Sequence, residues 1–445
     1  ESYRGGYLPN ERRAIEKGLR DGSIHGVVST NALELGIDIG GLDAAVLAGF
    51  PGSIASSWQQ AGRAGRRQTV SIAVVVGSSG PLDQYLMRHP EYFLSRSPER
   101  GFVDPDNMYV RTDHLKCAVF ELPFSDAPAD EPEFPESAAY LAVLEEEGTI
   151  RRAEDRWYWA DRGYPAEGIS LRSAASDNVV IVDTSAGRNE VIGEMDRPSA
   201  KELLFVNAIY IHRGAQFVVQ VLDLENRRAE VEAVKVDYWT DAQVKRDIKV
   251  LMEDERVPLA GVETVLGDVL VRSQVSKFKK LRFTTHENIG YGEVNLPEEE
   301  LHTRALVSVF SAGTAARRAL DALPAGATGP VIARLGRVLQ NVAPVFLLSD
   351  PRDIGIAERV RDPHFGEPAL FLFDQYPGGS GLSERLRTVL PDLLDAAAEL
   401  VERCPCEAGC PSCVGPVDPE RDIGVDAKAS VGLLLAGWRS EGAGE

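Results

Sequence analysis

A chain of 445 residues, 44% of them hydrophobic, carries enough apolar surface for about three domain cores at ~150 residues each. No apolar run approaches the ~20 residues of a membrane-spanning helix and no basic, apolar leader opens the sequence, so a cytoplasmic location is the default expectation. With 68 acidic against 48 basic residues the net charge is −20, which excludes wholesale wrapping by nucleic acid and leaves that role to local basic patches.

In chain order, residues 2–8 read as a loop into an amphipathic helix over 9–21, with Pro9 at its start. Residues 27–30 read as a buried strand, followed by strands at 44–48 and 71–76. Their alternation with helices predicts a parallel sheet covered on both faces. Ligands of such sheets lie at the carboxyl ends of the strands, where Thr30 falls. Residues 29–40, STNALELGIDIG, continue as polar turn, short helix and the acidic Asp38. Residues 58–67, WQQAGRAGRR, place Arg63 and Arg66 three apart behind small residues that leave room for phosphates. Guanidinium forks held in this way stabilise the charge that develops on a γ-phosphate during hydrolysis. An Arg-rich helix start is the plainer alternative. The sequence contains no GxxxxGK(S/T) and no DExH-type tetrad, so the groups that cradle the β- and γ-phosphates and hold magnesium are missing. This is half an active site, and the chain alone is expected not to hydrolyse ATP.

Residues 81–100 predict a helical linker and 112–120 another helix; 126–136 are an acidic, Pro-rich loop. A helix at 137–147 and two short strands within 148–160 form a winged-helix signature. Its strands carry Arg151, Arg152 and Arg156 beside Trp157, Tyr158 and Trp159. Alternating apolar residues at 178–183, 190–195, 208–211, 216–223 and 229–236 predict a small antiparallel barrel. Strands continue over 243–285 and end in SKFKKLR, where Lys277, Lys279, Lys280 and Arg282 surround Phe278. Basic groups beside aromatics suit phosphates and stacked bases, but each such patch is also what a solvated face over core aromatics looks like. The last third reads as mostly helical, at 315–323, 329–340, 382–404 and 427–438. Between these, 371–381 (FLFDQYPGGSG) is a buried strand into a glycine turn. Asp374 there, with Asp350 and Asp353, marks either a small site or ordinary helix and turn caps.

Four of the five cysteines cluster as Cys404-x-Cys406-x3-Cys410-x2-Cys413, which argues for metal rather than disulfide. Four thiolates close a tetrahedral, structural Zn²⁺ site. The tight C-x-C leaves a four-cysteine iron–sulfur cluster open as an alternative. Cys117, in an apolar helix, reads as core. The expected units are 1–82, 83–168, 169–285 and 286–445.

Residues 29–40 and 58–67 resemble motifs V and VI of superfamily 2 helicases, and residues 2–8 resemble motif IV. Together with the winged-helix signature, the barrel, the PGGSG turn and the cysteine cluster, the chain resembles the MrfA (YprA-like) family, with its SftH-like and Hrq-related members, over essentially all its length. The resemblance implies an α/β RecA-like sheet, the second of two such domains, followed by winged-helix, β-barrel and helical zinc-binding modules. It implies an ATP-dependent 3′-to-5′ DNA helicase acting in repair, a monomer on single-stranded or 3′-tailed DNA, with ATP and Mg²⁺ bound against an upstream RecA-like domain. Carried over by position, Arg63 and Arg66 would contact the γ-phosphate and Gln59 the interdomain network. Asp38 and Gly36 would face the ribose or the interface, Tyr3 and Arg4 the nucleotide or the interface, and Thr30 and Asn31 the DNA backbone. A remodelling ATPase without strand separation, or a zinc-dependent docking module, are the other expectations.

Overall fold

The computed structural model describes residues 1–35, 37, 39, 42–65, 70–98, 104, 106–125, 134, 137–169, 178–187, 189–259, 261–347, 349–417, 422 and 424–440. Strand β1 (Ser2–Tyr3) pairs in parallel with β2 (Val28–Ser29) across helix α1 (Pro9–Asp21), which ends on Gly22 in the left-handed conformation. Strand β3 (Ala44–Ala48) pairs in parallel with β4 (Ile72–Val76) across α2 (Ile54–Ala61). The parallel pairing is as expected, but the covering of both faces is not. Val28 is 79% exposed, and Val46, Ile72 and Val76 are exposed as well. Among the described residues the four strands form two separate two-stranded ribbons, which are too narrow for helices to close over both sides.

Helices α3 (Pro81–Arg88) and α4 (Pro90–Ser95) form the linker. Next, α5 (Met108–Glu121), β5 (Phe124–Ser125), α6 (Ala138–Glu146), β6 (Ile150–Ala153) and β7 (Arg156–Trp159) enclose a core of Leu115, Leu141, Leu144, Ile150 and Trp157, giving the winged-helix arrangement. Strands β8 (Asn178–Asp183), β9 (Glu190–Asp196), β10 (Ile209–His212), β11 (Ala215–Asp223) and β12 (Arg228–Val234) lie close to their expected spans. They form one sheet in the order β10-β11-β12-β8-β9, in which β8 and β12 run parallel. The expectation of a wholly antiparallel barrel is therefore corrected: edge strands β9 and β10 do not pair with each other among the described residues. Helix α7 (Arg197–Leu203), capped by Asp196, was not foreseen.

Strands β13 (Tyr238–Leu259) and β14 (Val262–Arg282) form a hairpin of 22 and 21 residues, roughly 70 Å long at ~3.3 Å per residue. With β15 (Asn288–Glu293), β16 (Glu299–Val309), β17 (Ile354–Arg359) and β18 (Ala369–Asp374) it builds a sheet ordered β13-β14-β16-β18-β17, with β15 beside β14. The sheet runs straight across the boundary expected at 285/286, while the last third is mostly helical, as expected, with three strands of the sheet added to it. Helices α8 (Ala315–Asp321), α9 (Thr328–Val342), α10 (Pro344–Leu347), α11 (Leu382–Arg403) and α12 (Ala427–Ser440) lie on one face. Leu306, Leu370 and Leu372 pack into these helices, while the alternate residues Ala305, Val307, Phe371 and Phe373 join Ile248 and Val269 in a second core. The hairpin bridges two cores: Phe278 packs with Phe205 in the five-stranded sheet's core, and Val262 and Leu266 pack among the C-terminal helices. Gly267 sits where a Cβ would lie 2.1 Å from the Met252 carbonyl oxygen, so only glycine fits under the bulged part of β13. A second long-range joint is Asn107. Its Oδ1 caps α5, while its Nδ2 donates to the carbonyls of Pro377 (2.8 Å) and Gly379 (2.6 Å). No helix among the described residues is long and apolar enough to cross a membrane.

Candidate functional site

The end of β2 turns on Thr30, whose Oγ1 accepts from Ala32 N (3.5 Å) and opens a short 3-10 turn at Asn31–Leu33. Facing it, α2 is capped by Ser53 Oγ, which accepts from Ser56 N (3.0 Å). Glu34 joins the two: its Oε2 accepts from Ser56 Oγ (2.6 Å) and from Gln60 Nε2 (3.1 Å). Arg63 then reaches back, donating from Nη1 to the Ile37 carbonyl (2.8 Å) and from Nη2 to the Glu34 carbonyl. Its Nε is buried without a partner among the described residues. The polar turn and the arginine helix are thus one hydrogen-bonded unit. Gln60, rather than the expected Gln59, makes the link. Glu34 and Ser56 were not singled out from the sequence, although their place inside the two motifs was a signal. Arg66, Gly36 and Asp38 lie outside the described residues.

Tyr3 is no nucleotide ligand. It is fully buried with Ile15, Leu19 and Leu33, because as the inward residue of β1 it fills the core under α1. Its hydroxyl donates to Glu16 (2.8 Å), and burial, reinforced by Glu16, pushes the phenol up to about 12. Arg4 faces the five-stranded sheet rather than the core under α1. It lies close enough to Tyr210 and His212 to act on both, opposing the burial that raises Tyr210 to about 12 and adding to the burial that lowers His212. Beside it Arg213 pairs with Glu11 (2.6 Å), and the rings of Tyr7 and His212 meet at 5.0 Å.

Lys277, Lys279 and Lys280 lie on β14 where β13 and β15 flank it. Lys279 is paired across with Tyr291, and the Lys277 ammonium is 6.0 Å from that ring, which is 61% exposed. Lys280 stands 5.3 Å from the Tyr238 ring. Phe278 is buried and serves the core, as the plainer expectation had it. Sequence reasoning missed Lys245 and Lys249, exposed at alternate positions of β13. None of these five lysines has a carboxylate partner among the described residues, whereas the neighbouring Arg272, Arg282 and Arg359 pair with Glu300, Asp237 and Asp247. In a chain of net charge −20, these unpaired cations are local anion-attracting points, with Lys277 and Lys279 beside Tyr291 and Lys280 on the opposite face beside Tyr238. The tryptophan patch is different: Trp157 is core, Arg152 covers its ring at 5.5 Å and Arg156 donates to the Pro123 carbonyl, leaving Tyr158 exposed.

At the C-terminal end of α11 the four sulfurs of Cys404, Cys406, Cys410 and Cys413 all lie within 4.8 Å of one another. Neighbouring pairs stand at 3.4–3.7 Å, close to the ~3.8 Å edge of a tetrahedron with ~2.3 Å Zn–S bonds. A cluster whose separate irons each take one thiolate would spread the sulfurs wider, so the set fits one Zn²⁺ rather than iron–sulfur. Lys428 Nζ donates to the carbonyls of Cys404 (2.6 Å) and Cys406 (2.7 Å), tying α12 to the loop. Cys117 lies apart on α5, and burial pushes its thiol up. The aspartates are caps. Asp350 and Asp353 form a capping box, and the fully buried Asp374 collects the N–H groups of Ser380, Leu382 and Ser383. The glycine turn therefore serves its own carboxylate and offers no anion site.

Three family models match the chain: the helicase conserved C-terminal domain over residues 1–68, the winged helix domain of the ATP-dependent helicase HRQ1 over 103–174, and the MrfA Zn-binding domain over 335–414. The chain is 47% identical over 416 residues to the "Uncharacterized ATP-dependent helicase YprA" of Bacillus subtilis, covering 93% of the chain and 54% of that protein. It is 30% identical over 441 residues to the ATP-dependent helicase HRQ1 of Saccharomyces cerevisiae, covering 93% of the chain and 39% of the relative. A crystal structure of the DUF1998 helicase MrfA bound to DNA superposes with a TM-score of 0.67 at 45% identity, covering 98% of the chain and 57% of that one. The chain therefore spans about half the length, or less, of the relatives it matches.

Proposed function

Because this is a MrfA/YprA-like helicase chain, we propose that it supplies the second RecA-like lobe, the winged helix and the zinc lobe of a cytoplasmic, monomeric, ATP-dependent helicase that moves 3′-to-5′ on single-stranded DNA and acts in DNA repair. The observation that carries this is the locked unit of Glu34, Ser56, Gln60 and Arg63, which holds an arginine beside the end of β2. In the complete enzyme a first RecA-like domain holds ATP and Mg²⁺. Arg63 and Arg66 act on the γ-phosphate, Gly36 and Asp38 face the ribose or the interface, and Gln59 reaches across the interface while Gln60 holds Glu34. Thr30 and Asn31 meet the DNA backbone, and the hairpin lysines draw phosphates toward Tyr291. The bound Zn²⁺ supplies structure, not chemistry, since four protein thiolates leave it no open position.

Strand displacement by the complete enzyme tests this. A 3′-tailed DNA duplex should be unwound with ATP, and a 5′-tailed duplex should not. DNA-stimulated turnover without displacement would favour a remodelling ATPase, and displacement of the 5′-tailed duplex alone would reverse the polarity.

A further inference from the structure

We infer that the zinc lobe positions the arginine of the ATPase site, with Val345 as the residue against which the arginine helix is seated. The inference rests on the ATPase reading above.

Ile54, the first residue of α2, is fully buried in a cluster with Leu82, Leu86 and Tyr92 of the linker and Val345 of α10, with Phe346 alongside. Tyr92 fixes that seat by donating its hydroxyl to the Val345 carbonyl (3.2 Å). The loop before α2 is pinned on both sides. Asp83 accepts from Phe50 N (3.0 Å) and Ser78 N (2.6 Å), and Gly52, at φ 100°, passes so close to Asp350 that a Cβ would lie 3.3 Å from its Oδ2. Asp350 is immobilised by its capping box and by Arg352 (2.8 Å). From Ile54 the helix runs eight residues, ~12 Å at ~1.5 Å each, to Gly62 and Arg63, and Glu34 holds its flank. Behind Val345, α10 packs on α9 and α11, and α11 ends at Cys404. An unbroken packed path thus joins the metal loop to the arginine. Only its Arg63 end would touch nucleotide; Val345 and Tyr92 are positioning residues. Catalytic groups displaced by about an ångström lose rate by roughly ten- to a hundred-fold without losing substrate.

The test uses the complete enzyme carrying Val345→Ala, Val345→Ile or Tyr92→Phe. DNA-stimulated ATP turnover is measured together with KM for ATP, affinity for a single-stranded oligonucleotide, and zinc per chain. Val345→Ala should lower kcat about ten-fold or more and Tyr92→Phe about three-fold, with KM, DNA affinity and zinc content within about two-fold of the parent. Val345→Ile, which keeps the seat for Ile54 filled, should retain turnover within about two-fold of the parent. Turnover within two-fold of the parent in Val345→Ala overturns the inference, as does loss of zinc or DNA affinity in step with kcat. Should Val345→Ala fail to fold, Tyr92→Phe decides, and unchanged turnover there overturns it. A parent enzyme without ATP turnover would instead sink the ATPase reading.

Discussion

Asp374→Ala should release the first turns of α11 from the sheet. The carboxylate accepts at Oδ2 from Ser380 N (2.6 Å), Ser380 Oγ (2.9 Å) and Leu382 N (3.1 Å), and at Oδ1 from Ser383 N (3.0 Å) and Ser383 Oγ (2.6 Å). The Ser383 hydroxyl has a second acceptor in the Arg304 carbonyl at 3.2 Å. The N–H groups of Leu382 and Ser383 are first-turn amides that a helix cannot satisfy internally. Each buried donor left without a partner costs ~1–3 kcal/mol, and the lost charge at the helix N-terminus adds ~0.3–1 kcal/mol. For these two amides and the charge the sum, about 2–7 kcal/mol, should appear as faster hydrogen exchange at the amides of α11, by roughly 10²- to 10⁵-fold in the local opening equilibrium. Asp374→Asn should cost nearly as much, because its NH₂ would face either the Ser380 and Leu382 donors or those of Ser383. Acceleration below ten-fold in the alanine variant, or an asparagine variant that exchanges like the parent, would refute the capping argument.

In the complete enzyme Arg63→Ala should cut ATP turnover by ~10³-fold while nucleotide affinity changes much less. Arg63→Lys should fare little better, since one ammonium cannot bridge the Ile37 and Glu34 carbonyls as the guanidinium does; equal losses in binding and turnover would mark a ground-state ligand instead. Metal analysis should find one zinc per chain. Serine at Cys404, Cys406, Cys410 or Cys413, or chelation, should lower the stability of the C-terminal lobe, with ~10 kcal/mol of apparent binding energy at stake. Cys117→Ser should be nearly neutral, and a brown, iron-containing protein would refute the zinc assignment. Lys277→Glu with Lys279→Glu should weaken binding of a single-stranded oligonucleotide and flatten its salt dependence by ~0.7 in log–log slope for each phosphate no longer neutralised; an unchanged slope would remove the hairpin from the interface.

What the sequence made legible were features written within about twenty residues. The strands of the five-stranded sheet show their alternation in their own side chains, and the cysteine spacing carries its chemistry with it. The fully apolar run FLF reads as buried because both faces of β18 are covered. The long hairpin escaped recognition because bulges at Leu251 and Asp254 reset its alternation, and because its middle is exposed on the outer side. Whether Gln59 or Gln60 would face Glu34 depended on how α2 is rotated, and Ile54 sets that rotation by burying itself on Val345. The hydrogen bond from Asn107 to Gly379 spans 272 residues and is marked by no local pattern. Tyr3 was misread because one aromatic in a loop-like segment looks the same whether it faces a ligand or a core.

The outer edge of β13 has a bearing on self-association at high concentration. An edge strand of 22 residues is a template on which another chain could add by backbone pairing, the route to aggregation. This one is defended from Lys245 to Pro258, and before that it is half-buried, with Thr240 accepting from Ile209 N. Lys245, Arg246, Asp247 and Lys249 are exposed in one stretch, Asp254, Glu255 and Arg256 follow in another, two extra residues kink the strand between partners, and Pro258 removes a donor near the turn. Charges of both signs make an incoming copy in register meet like against like, and the kinks deny it a straight partner. Neutralising the lysines among these side chains, which hold no ion pair among the described residues, would weaken that defence and make the lobe's longest strand a site for edge-to-edge pairing.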